Sequence, residues 1–362
     1  MISWFATHEH WDHISGFGDA ADILTSITFD EVWLAWTEDP NDKQAQQLAK
    51  TRSAGVNAIR LAESRLRIAE DNPAADRIAG FSSLLGAAGD KTHAAFELVR
   101  GRSTNIRYCS PSDAPVTVPG TDVRVYTLGP PRDDKLLHTL SGSATSGEMY
   151  GLDAASISPD PDFTPFDPIQ TIPIEVARGM PFFRARYFGE SAAPTNEAAA
   201  WRRIDTAYLL DATQLALQLD SYTNNTSLVL AFELPDGRVL LFPGDAQIGS
   251  WLSWKALSWQ VGGRTVTGPD LLARTSFYKV GHHGSHNATA HASGLELMTN
   301  LELAMIPVDH AEAVRKNWSR IPLPEIVKAL NDQTHQSVIQ ADQDAPASVN
   351  TKSSPLFHEI AL

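Results

Sequence analysis

Cysteine is almost missing from this chain of 362 residues. Cys109 stands alone, which excludes an internal disulfide and suits a reducing compartment. Long apolar runs are missing too. None approaches the roughly 18 residues needed to span a bilayer, and the apolar stretches at 227–232 and 239–242 are strand-sized. The opening residues, Met1-Ile2-Ser3-Trp4-Phe5, lack the basic region and apolar core of a signal peptide, so the cytoplasm is the expected compartment. Positive charge is scarce: 29 Lys and Arg face 43 Asp and Glu, a formal net charge of −14. That balance argues against tight, non-specific nucleic-acid binding through a broad basic face. Phosphate esters stay open as substrates, because bound metal ions can be the largest local charges in a site. The remaining composition, 43% hydrophobic with 22 Pro and 23 Gly, is that of a globular protein with ample core.

What the sequence does have is a dense cluster at its start, Thr7-His8-Glu9-His10-Trp11-Asp12-His13. Three imidazoles and two carboxylates fall between His8 and His13. Imidazole and carboxylate together suit zinc or a similar divalent ion. In extended backbone, residues two apart point the same way, so His8 and His10 can hold one ion while Glu9 faces away. Asp12 and His13, at the turn that follows, can face a second ion. With 12 His in the chain, this pattern arises by chance on the order of once per thousand such sequences.

Strand character is expected at residues 2–6, 30–36, 116–118, 123–128, 276–280 and 303–308. Residues 227–234 and 238–242 flank the turn Pro235-Asp236-Gly237 as a hairpin-like pair. Apolar residues at three-to-four spacing predict a long helix over 42–71, and shorter helices are expected at 19–25, 74–88, 92–100, 197–219 and 323–331. Residues 141–173 carry Pro159, Pro161, Pro165, Pro168 and Pro173, a density that forbids regular helix or inner strand, and read as an insertion loop or a linker. The aromatic run at 182–188 is expected to pack on a core or wall a cleft. Residues 341–354 look loosely ordered.

Further metal-type residues follow the predicted strands. Asp245, in Gly244-Asp245-Ala246, can use one oxygen for each of two ions and so bridge them. His282 and His283 lie between Gly281 and Gly284, whose small size lets backbone approach an ion closely. Adjacent side chains in extended backbone point to opposite faces. On that ground His282 is the favoured ligand and His283 a supporting partner or substrate contact. Ser285 and His286 are candidates for proton donation. His93 and His138 read as incidental.

These segments resemble the metallo-β-lactamase-fold hydrolases, whose first motif is Thr-His-x-His-x-Asp-His. Within them the chain is most similar to the hydrolase domain of the ComEC-type DNA-uptake proteins and their soluble relatives. Residues 123–131 resemble that family's strand ending in Gly-Pro-Pro. Residues 224–230 resemble its Asn-x-x-Ser-Leu-Val-Leu segment, 240–246 its Leu-Leu-x-x-Gly-Asp-Ala and 279–285 its Lys-Val-x-His-His-Gly-Ser. The match covers residues 1–36, 121–131 and 222–331 of what reads as a single domain over 1–362. The helical segment 42–100 and the insertion 135–220 have no counterpart.

The resemblance implies an α/β fold, an αββα sandwich of two mixed sheets with helices outside. It implies a dinuclear centre, one ion on His8 and His10, the other on Asp12, His13 and His282, with Asp245 bridging. An extra His that many members place before the bridging Asp has no match here, and Asn224 or Asn225 stands in that interval. The family also has strands ahead of the first motif that have no counterpart before His8. The expectation is therefore a late start or a split chain, with a partner segment or a second copy covering the exposed sheet edge. The implied activity is hydrolysis of a phosphodiester or other ester by two divalent ions, zinc or alternatively manganese, through a metal-bridging hydroxide. Asp12 and Asp245 would orient that nucleophile, and His283 or His286 would protonate the leaving group. The expected substrate is a small-molecule or nucleotide ester, with no membrane partner. The alternatives are a DNA- or nucleotide-processing nuclease and a degenerate binding protein without turnover.

Overall fold

The computed structural model describes residues 2–68, 75–76, 78–79, 90–139, 172, 174–187, 211–315, 320–354 and 357–360. The expected helix over 74–88, the proline-rich stretch 141–173 and the first part of the expected helix 197–219 lie largely outside these residues.

Three parallel strands form one sheet in the order β1 (Ser3–Phe5), β2 (Glu31–Ala35), β3 (Ile106–Cys109). A second, seven-stranded mixed sheet has the order β12-β11-β10-β7-β6-β5-β4. Its members are β4 (Val116–Thr117), β5 (Arg124–Gly129), β6 (Val229–Glu233), β7 (Val239–Phe242), β10 (Thr275–Lys279), β11 (Leu303–Ile306) and β12 (Val338–Gln340). Strands β4 to β7 pair antiparallel, whereas β7, β10, β11 and β12 run parallel. A hairpin of β8 (Ser258–Val261) and β9 (Arg264–Thr267) stands apart from the large sheet.

Period-two alternation decides which side chain meets which layer. Along β6, Val229 and Ala231 join a core with Trp251, Trp254, Leu271 and Ile326 from the helices Ile248–Ser253, Gly268–Ala273 and Pro324–Gln333 and the short turn after the first. On the opposite face, Leu228 and Leu230 share a cluster with Trp33 and Ala35 of β2, and Phe5 of β1 meets Phe232 edge-on at 5.7 Å. The far face of the small sheet, through Val32 and Leu34, packs on Ala95, Phe96 and Val99 of the helix Asp90–Arg100. Leu240, Phe242, Phe277, Leu303 and Met305, from the same face of β7, β10 and β11, are met by Ala345, Val349 and Ile360.

Several expectations are corrected. Strands β3 and β12 and the helices Ile248–Ser253 and Gly268–Ala273 stand where the sequence pattern predicts no element. Of the stretch 341–354, read as loosely ordered, residues 341–350 have neither helix nor strand, but β13 (Thr351–Ser354) pairs antiparallel with β14 (Phe357–Ile360). The aromatic run forms a helix, Pro181–Tyr187, with Phe182 58% exposed rather than buried in a core. The long helix runs Lys43–Ile68, and the predicted hairpin turn stands, closed by Leu234 N–H donating to Arg238 O at 2.8 Å.

The chain divides into two compact units. One comprises Met1–Leu48, Asp90–Ser156 and Asp220–Leu362 and holds both sheets; the other comprises Ala49–Gly89 and Ile157–Leu219. Among the described residues, no helix is long and apolar enough to cross a membrane.

Candidate metal centre

Strand ends supply the site. The loop after β1 carries His8 and His10, and the helical turn Trp11–Ile14 carries Asp12 and His13. The loop after β7 carries Asp245, and the loop after its parallel neighbour β10 carries His282 and His283. The small sheet through β1 and the neighbouring strands β7 and β10 of the large sheet thus present residues distant in sequence at their carboxyl ends. Backbone contact locks the pieces together: Leu228 N–H donates to Thr7 O at 2.8 Å. Gly244 lies at φ +57°, and a Cβ there would stand 3.0 Å from both Ser227 Cβ and Thr7 Cβ. Only glycine suits that position.

Asp12, His13, Asp245 and His283 each offer one ligand atom, and these atoms all lie within 4.8 Å of one another, a group that could hold a metal ion. His13 Nε2 stands 3.2 Å from Asp245 Oδ1 and 3.5 Å from Asp12 Oδ2, and it is buried without a hydrogen bond of good geometry. His283 Nδ1 donates to the Pro307 carbonyl at 2.6 Å, which leaves Nε2 to meet Asp12 Oδ2 at 3.0 Å. Beside this group, His8 Nε2 and His10 Nδ1 are 3.0 Å apart. Glu9 turns elsewhere, 3.2 Å from His93 Nδ1.

His282 and His283 are not in extended backbone. Both have positive φ, +44° and +51°, a conformation costing about 1–2 kcal/mol for each non-glycine residue. The alternation that favoured His282 over His283 therefore does not operate here, and it is His283 that turns toward Asp12. His282 keeps its own contacts. Ser285 Oγ gives its proton to Asn287 Oδ1 at 3.0 Å, so His282 Nδ1 donates to Ser285 Oγ at 2.7 Å. The His282 Nε2 lone pair then faces Asn224 Nδ2 at 3.3 Å, while the His282 N–H donates to Asp245 Oδ1 at 3.1 Å.

Burial dominates the protonation of His8, His10 and His282, pushing each below the ordinary imidazole value, His10 to about 4. Neutral rings with free lone pairs are what a metal requires. Burial also opposes protonation of His13 and His283, but the carboxylates win: Asp245 raises His13, and the Asp12 hydrogen bond lifts His283 to about 9. Desolvation opposes the charge on buried Asp245 and on the more exposed Asp12, yet these imidazoles hold both well below the carboxylate range. The pair of carboxylates draws in positive charge, which protons or a divalent ion can supply. The donor set of imidazole and carboxylate fits zinc-type ions.

Other residues sort themselves by contact. Of the two asparagines, Asn224 faces the site. Asn225 is a structural clamp, its amide donating to Leu136 O and Leu137 O at 3.1 and 2.7 Å and accepting from Gln247 N–H at 3.2 Å. His286 is half-buried, its pKa lowered by burial and by His282. His93 and His138 stay outside the four-residue group, though each has a partner: Glu9 for one, Asp134 O at 2.7 Å for the other.

Sequence reasoning missed three neighbours. Ser227 Oγ accepts from Asp245 N–H and lies 3.0 Å from His8 Nδ1. Asp220 Oδ1 stands 3.7 Å from His10 Nε2, and burial together with Asp12 and Asp245 pushes its carboxyl up to about 7. Lys279 is lowered by burial, with Asp245 and Asp12 acting against that shift. Ser227 and Lys279 stand in segments quoted for the resemblance but without a role there, and Asp220 and Asn224 share a helical turn only because the helix runs on to Asn225, past the expected end at 219.

No known protein family, curated protein or solved structure matches the chain.

Proposed function

We propose that this chain is a metal-dependent hydrolase of the metallo-β-lactamase type, an αββα sandwich acting on a phosphodiester or other ester. The observation that carries the reading is the convergence of Asp12, His13, Asp245 and His283, from three separate loops, within 4.8 Å. The shared apolar layer between the two sheets, with helices on their outer faces, supports the architecture. Asp12, His13, Asp245 and His283 would hold one divalent ion and His8 with His10 a second, with His282 a further candidate ligand. Zinc suits these donors, and manganese is the alternative.

Bound ions lower the pKa of water toward about 7 and stabilise charge developing on the attacked group. The chain's own residues then divide the remaining tasks. Asp12 and Asp245, fixed by His283 and by the Ser227 and His282 contacts, orient a water by accepting its proton in a hydrogen bond. His283, held through Nδ1 by the Pro307 carbonyl, has Nε2 alone to offer: it either ligates there when neutral or, leaving the ion to Asp12, His13 and Asp245, gives that proton to a leaving oxygen. His286 is the second candidate donor. The net charge of −14 favours a small-molecule or nucleotide ester over a long nucleic acid.

Hydrolysis of a chromogenic phosphodiester by the wild type and Asp245→Ala, with zinc or manganese supplied, tests the reading. Turnover that falls at least about a hundredfold in the variant supports it. Equal turnover in both proteins overturns it.

A further inference from the structure

His10 Nε2 is buried and, among the described residues, has no hydrogen-bond partner. The charged atom set against it is Asp220 Oδ1 at 3.7 Å, on the last turns of the helix Asp211–Asn225. Asp220 does not hang free: Asn224 Nδ2, one turn on, donates to its Oδ2 at 3.3 Å. Asn224 Oδ1 is itself buried and unpartnered in the same place. On the other side of the His10 ring, Nδ1 confronts His8 Nε2 at 3.0 Å, and the remaining His8 nitrogen is occupied by Ser227 Oγ and Thr7 Oγ1. Two imidazole nitrogens facing each other at that distance suit a shared cation if both carry lone pairs. Which nitrogen of a ring carries the proton is set by the partner of the other one.

We propose that Asp220 is the positioning residue of His10: its carboxylate takes the His10 Nε2–H, leaving His10 Nδ1 and His8 Nε2 as a paired donor set for a second divalent ion. The proposal rests on the reading of the site as a metal centre. It adds a residue that neither the motif spacing nor the four-residue group contains. Ser227 does for His8 what Asp220 does for His10, so the two halves of the donor pair are oriented from opposite sides. A carboxylate behind a liganding histidine fixes its tautomer and raises its basicity, and loss of such a partner costs about 10- to 100-fold in metal affinity.

The test uses the metal-stripped full chain and zinc, with a chromogenic chelator as competitor. The wild type is expected to take two zinc ions. Asp220→Ala is expected to weaken one of them about 10- to 100-fold and leave the other unchanged, and Asp220→Asn, which keeps an acceptor oxygen, to lose less. In the zinc-loaded wild type, long-range ¹H–¹⁵N spectra are expected to show His10 protonated at Nε2, a readout independent of how any variant folds. Two wild-type ions with both affinities unmoved in Asp220→Ala, or His10 protonated at Nδ1, overturn the role of Asp220 while leaving the metal centre standing. A wild type that takes one ion overturns the second half-site. One that takes none overturns the metal-centre reading with it.

Discussion

Ser227 brings no ligand chemistry of its own, yet it ties the two ends of the site together across more than two hundred residues. Its hydroxyl oxygen accepts the Asp245 N–H and lies against His8 Nδ1, both at 3.0 Å, in a fully buried position. Ser227→Ala would leave a buried N–H unsatisfied, which costs about 1–3 kcal/mol. Denaturant unfolding should show that loss, and a variant within a few tenths of a kcal/mol of wild type would contradict it. Gly244→Ala should be at least as damaging, by about 1 kcal/mol or more, because a side chain there meets both contact and positive φ. Residue chemistry decides which members of the site can be read from the sequence. His8, His10, Asp12, His13 and Asp245 announce themselves by residue type and spacing. Ser227 and Lys279 sit in recognisable segments but gain a role, as Asp220 does, only when the fold puts an imidazole or carboxylate beside them. His283 was legible as a candidate but not as a member of the group, because its direction depends on a positive φ that no alternation rule anticipates.

Among the elements, β5 and β6 show how a polar group is kept inside a sheet protein. Glu233, at the end of β6, is 3% exposed. Its Oε2 accepts from Arg124 Nη1 and Tyr126 Oη at 2.6 and 2.8 Å, and its Oε1 from Arg264 and Arg274 at 2.7 Å each. Burial opposes the charge, but Tyr126 and the arginines hold the carboxyl down to about 2. The stabilisation is therefore complete above the ordinary value of 4.5 and fades as pH falls toward 2. Glu233→Gln should lower the melting temperature at pH 7, and the gap to wild type should narrow steadily between pH 4.5 and 2. A gap independent of pH over that window would contradict the ion-pair account. The same strands explain what could be read in advance. In β6 and β7 apolar residues run unbroken or alternate, so strands were evident. In β3, Arg107 is exposed and Ile106 and Tyr108 half-buried, leaving no clear pattern. In β13, Thr351-Lys352-Ser353-Ser354 has no apolar residue at all, and backbone pairing with β14 carries the hairpin.

Across the molecule, the two sheets share apolar side chains over only part of the larger one. The rest of that face, from Leu240 and Phe242 to Leu303 and Met305, is met by Ala345, Val349 and Ile360. The chain's own C-terminal stretch thus supplies contacts to that face. Removing residues 345–362 should therefore expose apolar surface, lower the melting temperature and raise the binding of a hydrophobic dye. Unchanged melting and dye binding would show that this stretch contributes nothing to the core. The mixed α/β class, the hairpin of β6 and β7 and the placement of ligand-type residues at strand ends were legible; the order of the strands within the large sheet was not. Everything proposed for this protein requires that the strand-end residues form a metal centre. Equilibrium dialysis of the metal-stripped chain against zinc, followed by elemental analysis, tests it most directly. The wild type should retain zinc, and His13→Ala, which removes a member of the four-residue group without adding charge, should lose at least one equivalent. A wild type that retains none, or a His13→Ala protein that retains as much as wild type, would contradict the claim.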